Sequence, residues 1–366
     1  MIEPSDLLNL FKKKGINFFC GVPDSVLKNF LNVLHKEKSI KNLTAVNEGS
    51  AVAVAIGKFL ATRKLSVVYM QNSGLGNAIN PLISIADKTV YSIPTILLIG
   101  WRGAPGLKDE PQHKAKGKIT LSLLEKLNIK NVIIESKKDF KKTSRLIDYA
   151  KKNNVSVAIL IKNNSFYFEK KLNSFKYPNS LQRYDFIKKL LSNITKKDKI
   201  ITTTGFTSRE LDEIRKDKKY KNGVDFYMVG GMGHTSSVAL GFSLFNNSRV
   251  LCLDGDGAML MHMGSLMSVA NFASKKFRYI LLNNNTHESV GGQLTNVNKM
   301  DIKKISLGFG FKNFFQIQNN KNVDKILKKF LTLSGPNFLN VKIKNKSIQN
   351  LKRPSNLIDI KKLFMM

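Results

Sequence analysis

The residues best suited to chemistry lie in the second half of the chain. Val250-Leu251-Cys252-Leu253-Asp254-Gly255-Asp256-Gly257-Ala258 is an apolar, strand-like run that ends in Gly-Asp-Gly and leads into a helical pattern. The next strand-like run ends in Leu282-Asn283-Asn284-Asn285. Consecutive parallel strands patterned in this way present a carboxylate and a carboxamide at their C-terminal ends, where open α/β sheets bind ligands. Magnesium takes oxygen ligands in octahedral geometry and is shared between a few protein groups and ligand phosphates. An Asp carboxylate, an Asn side-chain oxygen and a backbone carbonyl therefore suit a metal-bridged diphosphate. Gly255 and Gly257 let phosphates approach the backbone at the start of the following helix.

A second carboxylate stands in the first half. In Thr44-Ala45-Val46-Asn47-Glu48-Gly49-Ser50-Ala51, Glu48 falls between a strand read as buried and an alanine-rich apolar helix. An exposed Glu at a helix N-terminus would only complement the helix dipole. This one is expected to be shielded, and a shielded carboxyl can share a proton with a ring nitrogen. Imidazole exchanges protons near neutral pH, so His113 in Asp109-Glu110-Pro111-Gln112-His113 and His287 in His287-Glu288-Ser289-Val290-Gly291-Gly292-Gln293 are the candidate proton donors. His234 sits in a further motif loop, whereas His35 and His262 read as structural. Asp24 either faces a substrate or caps the helix that follows it. Arg102 is the cation suited to chelate an anionic substrate group, with the amides of Gly291 and Gly292 as a second anion cradle. Trp101 is a pocket wall or a core residue.

These groups need rigid elements to hold them. In the first half, apolar runs at 18–22, 43–46, 66–70, 95–100, 132–135 and 155–161 predict strands, with amphipathic helices between them, among them 25–34, 49–60 and 140–151. The second half repeats the pattern at 199–203, 226–229, 250–254, 278–283, 314–317 and 338–343. Strands separated by helices imply right-handed crossovers and mostly parallel sheets covered on both faces. The expectation is α/β: two similar doubly wound domains, 1–165 and 184–366, joined by a polar linker at 166–183, with no middle domain.

Composition narrows the class. With 42% hydrophobic and 23% charged residues the chain reads as globular, and no run is apolar enough to span a bilayer. Met1-Ile2-Glu3-Pro4-Ser5-Asp6 is acidic and polar rather than basic and then apolar, so the protein is expected in the cytoplasm. Cys20 and Cys252 each lie in an apolar run and read as core residues. The net charge of +34 comes from lysines scattered among many asparagines, with no zinc-finger spacing, RNP-like motif or isolated basic tail. Specific nucleic-acid binding is therefore not expected; a positive field does help collect a multiply charged anionic substrate.

The Gly-Asp-Gly turn with its distal Asn-Asn pair resembles the cofactor motif of the thiamine-diphosphate enzyme superfamily. Gly21-Val22-Pro23-Asp24-Ser25, Met70-Gln71-Asn72-Ser73-Gly74-Leu75-Gly76-Asn77, Gly100-Trp101-Arg102-Gly103 and the two histidine motifs above make the chain similar, over nearly its whole length and in the same order, to the phosphonopyruvate and sulfopyruvate decarboxylases. The resemblance implies thiamine diphosphate and Mg2+ as cofactors. Asp256 and Asn284 would ligate the metal by their side chains and Thr286 by its carbonyl, with Gly255, Gly257 and Ala258 against the diphosphate. Met232 would wedge the cofactor into its bent shape, and the Gly230 carbonyl would accept a hydrogen bond from the aminopyrimidine. Glu48 would bind ring nitrogen N1′ and promote the thiamine diphosphate ylide.

The implied reaction converts 3-phosphonopyruvate to phosphonoacetaldehyde and CO2, with sulfopyruvate as the alternative substrate and a non-catalytic subunit of the same fold as a third reading. Glu48, His113, His287 and Asp24 are the implied catalytic groups; Arg102, Asn72 and Gln71 are the implied substrate contacts. A homodimer, or a dimer of dimers, would carry the active site at its subunit interface. Two positions depart from the motif. Asn285 stands where glycine is usual, which a left-handed backbone tolerates, and Gly231 stands where serine is common.

Overall fold

The computed structural model describes residues 1–167 and 181–366; most of the expected linker, at 168–180, lies outside the described residues. The chain forms two compact units. The first takes in the described residues up to 167 together with His287–Gln293, and the second those from 181 to Thr286 and then Leu294–Met366.

In the first unit β1 (Phe18–Gly21), β2 (Lys41–Thr44), β3 (Val67–Gln71), β4 (Ile96–Trp101), β5 (Lys130–Ile134) and β6 (Val157–Lys162) form one parallel sheet in the order β2-β1-β3-β4-β6-β5. Buried parallel strands are near-continuous apolar runs, and β1, β4 and β6 are buried along almost their whole length. One face of the sheet carries a core with Phe11, Phe19, Phe30 and Tyr69 under α1 (Pro4–Lys13), α2 (Lys28–Lys36) and α6 (Phe140–Asn153). The other face carries a core with Cys20, Val52, Met70 and Leu97 under α3 (Glu48–Thr62), α4 (Leu75–Pro81) and α5 (Pro111–Lys126).

The second unit repeats the plan. β7 (Lys199–Thr202), β8 (Val224–Tyr227), β9 (Val250–Gly255), β10 (Phe277–Asn283), β11 (Asn313–Ile317) and β12 (Asn337–Lys342) are all parallel, in the order β8-β7-β9-β10-β12-β11. Counted from the first strand of each unit, the two orders are identical. On one face lie α7 (Arg183–Asn193), α8 (Phe206–Ile214) and α13 (Val323–Thr332); on the other lie α9 (Thr235–Phe245), α11 (Ser265–Phe272), α12 (Ile302–Phe309) and α14 (Leu357–Met365). No described helix is long and apolar enough to cross a membrane. Cys20 and Cys252 are buried and unbridged.

The strand preceding Glu48 differs from its expected burial. β2 is the edge of its sheet and is only alternately half-buried, with Leu43 and Val46 exposed. An edge strand pairs on one side only, so its apolar residues need not be covered within the unit.

Candidate active site

In the second unit β9 and β10 pair in register, Asp254 beside Leu281 and Gly255 beside Leu282. The turns that follow therefore emerge side by side at the C-terminal edge of the sheet. Asp256 is the first residue of α10 (Asp256–Met261) and is only 2% exposed. Burial pushes its carboxyl up to about 6, against the pull of the Thr295 hydroxyl and nearby backbone amides. Among the described residues no lysine or arginine forms a salt bridge with it. A buried carboxylate without a cation is costly unless a positive charge is supplied. Gly257 and Ala258 are buried in the same turn, while a Cβ at Gly255 would meet only open space.

The facing turn is equally enclosed. Asn284, Asn285 and Thr286 are all buried. Asn284 Oδ1 accepts the Thr286 N–H at 3.1 Å. Asn285 has φ 58°, the left-handed conformation its type tolerates. Its Nδ2 and the Thr286 hydroxyl are buried with no hydrogen-bond partner among the described residues. A buried carboxylate in no described salt bridge, the buried Asn284 carboxamide on the facing turn and buried donors without a described partner form a set that fits a divalent cation with a diphosphate.

Beyond β8, Gly231 and Gly233 have φ 62° and 89°. The left-handed backbone at 231 is a reason for glycine where serine is common. Gly230 and Met232 are half-buried in this loop. His262, read from sequence as structural, stacks on the exposed His234 with ring centroids 4.4 Å apart. A Cβ at Gly233 would come within 2.5 Å of His262 Nδ1, so the glycine admits the ring. Beneath the Gly-Asp-Gly turn, Asp254 Oδ1 accepts the Gly255 N–H at 2.9 Å and Oδ2 accepts the Tyr279 hydroxyl at 2.9 Å.

In the first unit Glu48 begins α3, one residue earlier than the expected helix start, because Asn47 caps it: Asn47 Oδ1 accepts the Ser50 N–H at 2.8 Å. Glu48 is 5% exposed, and Oε2 accepts from Asn77 Nδ2 at 2.7 Å. Gly74 lies so close that a Cβ there would be 2.3 Å from the Glu48 carboxylate.

A second polar group gathers at the ends of β1, β3 and β4. Asp24 is fully buried and does not cap α2, whose N-cap is Leu27. It accepts from Gln71 Nε2 at 3.0 Å and from the Val26 N–H at 3.1 Å, and burial raises its pKa above the usual carboxylate value. A Cβ at Gly100 would collide with it at 1.8 Å. Arg102 is not the open chelator that its position suggests. Its Nε and Nη2 grip Asp109 at 2.8 and 2.5 Å, and Nη1 donates to Ser25 Oγ at 3.1 Å. The Asn72 amide clasps the Arg102 backbone on both sides and donates to Thr120 Oγ1 at 2.9 Å. Trp101 is a core residue, its Nε1 donating to the Gly117 carbonyl at 3.0 Å. His113 lies in the first turn of α5 rather than in a loop, and is buried.

His287 groups with the first unit. Its pKa is pushed down to about 4 by burial, so the ring is neutral at neutral pH. Its backbone closes a loop in which His287 N donates to the Gln293 carbonyl at 2.8 Å. Gln293 is 2% exposed, with neither end of its amide paired among the described residues. Gln293, Thr295, Asp109 and Asn77 escape sequence reading as site residues. Gln293, Asp109 and Asn77 lie within motifs already quoted; the burial of the first and the partners Arg102 and Glu48 of the other two are signals that composition cannot supply.

Residues 5–122 match the N-terminal TPP binding domain of thiamine pyrophosphate enzymes, and residues 203–341 match the C-terminal TPP binding domain. The chain belongs to the thiamine pyrophosphate enzyme family. It is 30% identical to a phosphonopyruvate decarboxylase of Streptomyces viridochromogenes, over 97% of this chain and 91% of that one. A phosphonopyruvate decarboxylase of Streptomyces hygroscopicus is 29% identical over 97% and 90%. A sulfopyruvate decarboxylase of Methanosarcina acetivorans is 26% identical over 99% of both. Within the family the branch is that of these decarboxylases, which are carboxy-lyases.

Proposed function

We propose that this protein decarboxylates 3-phosphonopyruvate to phosphonoacetaldehyde and CO2. The observation that carries the reading is the buried, uncompensated carboxylate of Asp256 in a chain similar to phosphonopyruvate decarboxylases end to end. Thiamine diphosphate, when bound, supplies the electron sink for the pair left behind as CO2 departs. Asp256, Asn284 and the Thr286 carbonyl hold Mg2+ against the diphosphate, with Gly255, Gly257 and Ala258 lining the approach. Gly230 and Met232 receive the pyrimidine end. Glu48, held by Asn77, exchanges a proton with ring nitrogen N1′.

Asp24 carries a proton more readily than an ordinary aspartate, which suits it to hand one to the substrate carbon. The neutral His287 serves as a hydrogen-bonding group rather than a standing acid, and His113 is the imidazole left for proton transfer. With its fork held by Asp109, Arg102 meets the phosphonate through Nη1, beside Gln71. Asn72 supports the pocket by fixing the Arg102 backbone, and the unpaired Gln293 amide adds donors for the anion.

Glu48 of one chain and Asp256 of another complete each site in a homodimer. Supporting this, Val54 and Leu60 on α3, Val238 and Phe245 on α9, and Met267 and Phe272 on α11 are exposed apolar side chains suited to an interface. The protein works in the cytoplasm on a small anionic 2-oxo acid.

Sulfopyruvate is the second reading, favoured by the full-length likeness to the Methanosarcina acetivorans decarboxylase. Incubation with thiamine diphosphate, Mg2+ and each acid, with CO2 and aldehyde assayed, separates the two. A higher kcat/KM for phosphonopyruvate is expected. A higher value for sulfopyruvate reverses the assignment, and no CO2 from either acid overturns the function.

A further inference from the structure

The carboxylate assigned to the metal has one side-chain neighbour that the site so far leaves unused. Thr295 Oγ1 donates to Asp256 Oδ2 at 2.5 Å. A hydroxyl has a single proton, and the other oxygen in reach, Asn285 Oδ1, is 3.4 Å away, so the proton goes to the carboxylate. The remaining hydrogen bonds to Asp256 come from backbone N–H groups of the two turns.

Thr295 is itself held in place. Its N–H donates to the Asn285 carbonyl at 3.1 Å, next to the antiparallel bridge between Thr286 and Leu294. Asn285 Oδ1 takes the Asn298 N–H at 3.3 Å. The side chain of Asn285 thus ties the metal-facing turn to the 295–298 segment, a brace that a glycine at 285 would lack while keeping the left-handed turn.

We propose that Thr295 is a positioning residue for the divalent cation. Its hydroxyl fixes the plane of the Asp256 carboxylate so that the cation meets one orientation, and Asn285 holds Thr295 where it can do so. The proposal rests on the assignment of Asp256 to Mg2+. A ligating carboxylate is commonly oriented by a hydrogen-bonded partner whose loss weakens metal binding about 10–100-fold.

The test is calorimetric titration of the full chain with thiamine diphosphate at a series of Mg2+ concentrations, together with its melting temperature without cofactor. Thr295→Val removes the hydroxyl and keeps the shape. It is expected to raise the Mg2+ concentration for half-maximal binding about 10–100-fold, with the cofactor-free melting temperature unchanged. Thr295→Ser is expected to bind like the parent, and Asn285→Gly to fall between the two. Parent-like Mg2+ dependence in Thr295→Val overturns the proposal, as does a serine variant that binds as poorly as valine. Should the valine variant not fold, Thr295→Ala against Thr295→Ser makes the same comparison. Asp256→Asn separates the two levels. If it binds Mg2+ and cofactor like the parent, the metal assignment itself fails, whatever Thr295 does.

Discussion

The two units share one strand order but hold their carboxylates differently. In the first, the acids near the strand ends have side-chain partners from within the unit: Asp109 pairs with the Arg102 guanidinium, Asp24 accepts from Gln71 with Arg102 nearby, and Glu48 accepts from Asn77. In the second, Asp256 is buried with a hydroxyl and backbone amides around it and, among the described residues, no basic side chain in a salt bridge to it. Acids held by a guanidinium and by carboxamides line a pocket and can exchange protons there, whereas a carboxylate held only by a hydroxyl and backbone amides invites a cation. One fold thus carries two kinds of chemistry because the residues at the strand ends differ, not the scaffold.

The largest effect should come from separating the two roles. Glu48→Gln and Asp256→Asn are each expected to be nearly inactive. Mixed under conditions that allow subunit exchange, they should regain about a quarter of parental activity, because half the dimers are mixed and each mixed dimer has one intact site. A mixture that stays inactive after proven exchange argues that both carboxylates of a site come from one chain.

Next in size is the balance within the first unit. Asp109→Ala strands the largely buried Arg102 guanidinium and is expected to destabilise the protein by about 3–5 kcal/mol in denaturant unfolding. The Arg102 pairing and backbone amides hold the Asp109 pKa well below its usual value. Its contribution should therefore be present above the unfolded carboxylate value near 4 and be lost as pH falls below it. A variant as stable as the parent at neutral pH would mean that the pair adds nothing.

A smaller change probes the proton-handling acid. Gly74→Ala inserts a methyl 2.3 Å from the Glu48 carboxylate, and overpacking of this kind costs about 1–3 kcal/mol. Catalysis should fall more than stability does, since the displaced group is the reactive one; equal activity in the two proteins would place Glu48 outside the reaction.

Much of this was legible from sequence. The strands were visible, the inner ones most clearly because doubly covered parallel strands are near-continuous apolar runs, and the Gly-Asp-Gly and Asn-Asn turns stood at the ends of two of them. Less visible were features that depend on distant partners. Arg102 read as an open anion binder because Asp109 folds back onto it only in three dimensions. Thr295 lies 39 positions from the carboxylate it holds, with no periodicity to link them. Leu43 and Val46 looked like core residues, but strand order decides which apolar run becomes an edge, and apolarity alone does not encode that order.

The central claim is that the second unit's carboxylate recruits the cation and the first unit's carboxylate moves the proton. Calorimetric binding of thiamine diphosphate to the parent, Glu48→Gln and Asp256→Asn proteins, with and without Mg2+, tests it most directly. Tight, Mg2+-dependent binding is expected of the parent, much of it kept in Glu48→Gln and nearly all of it lost in Asp256→Asn. Binding that ignores Mg2+, or that survives in Asp256→Asn as in the parent, would contradict it.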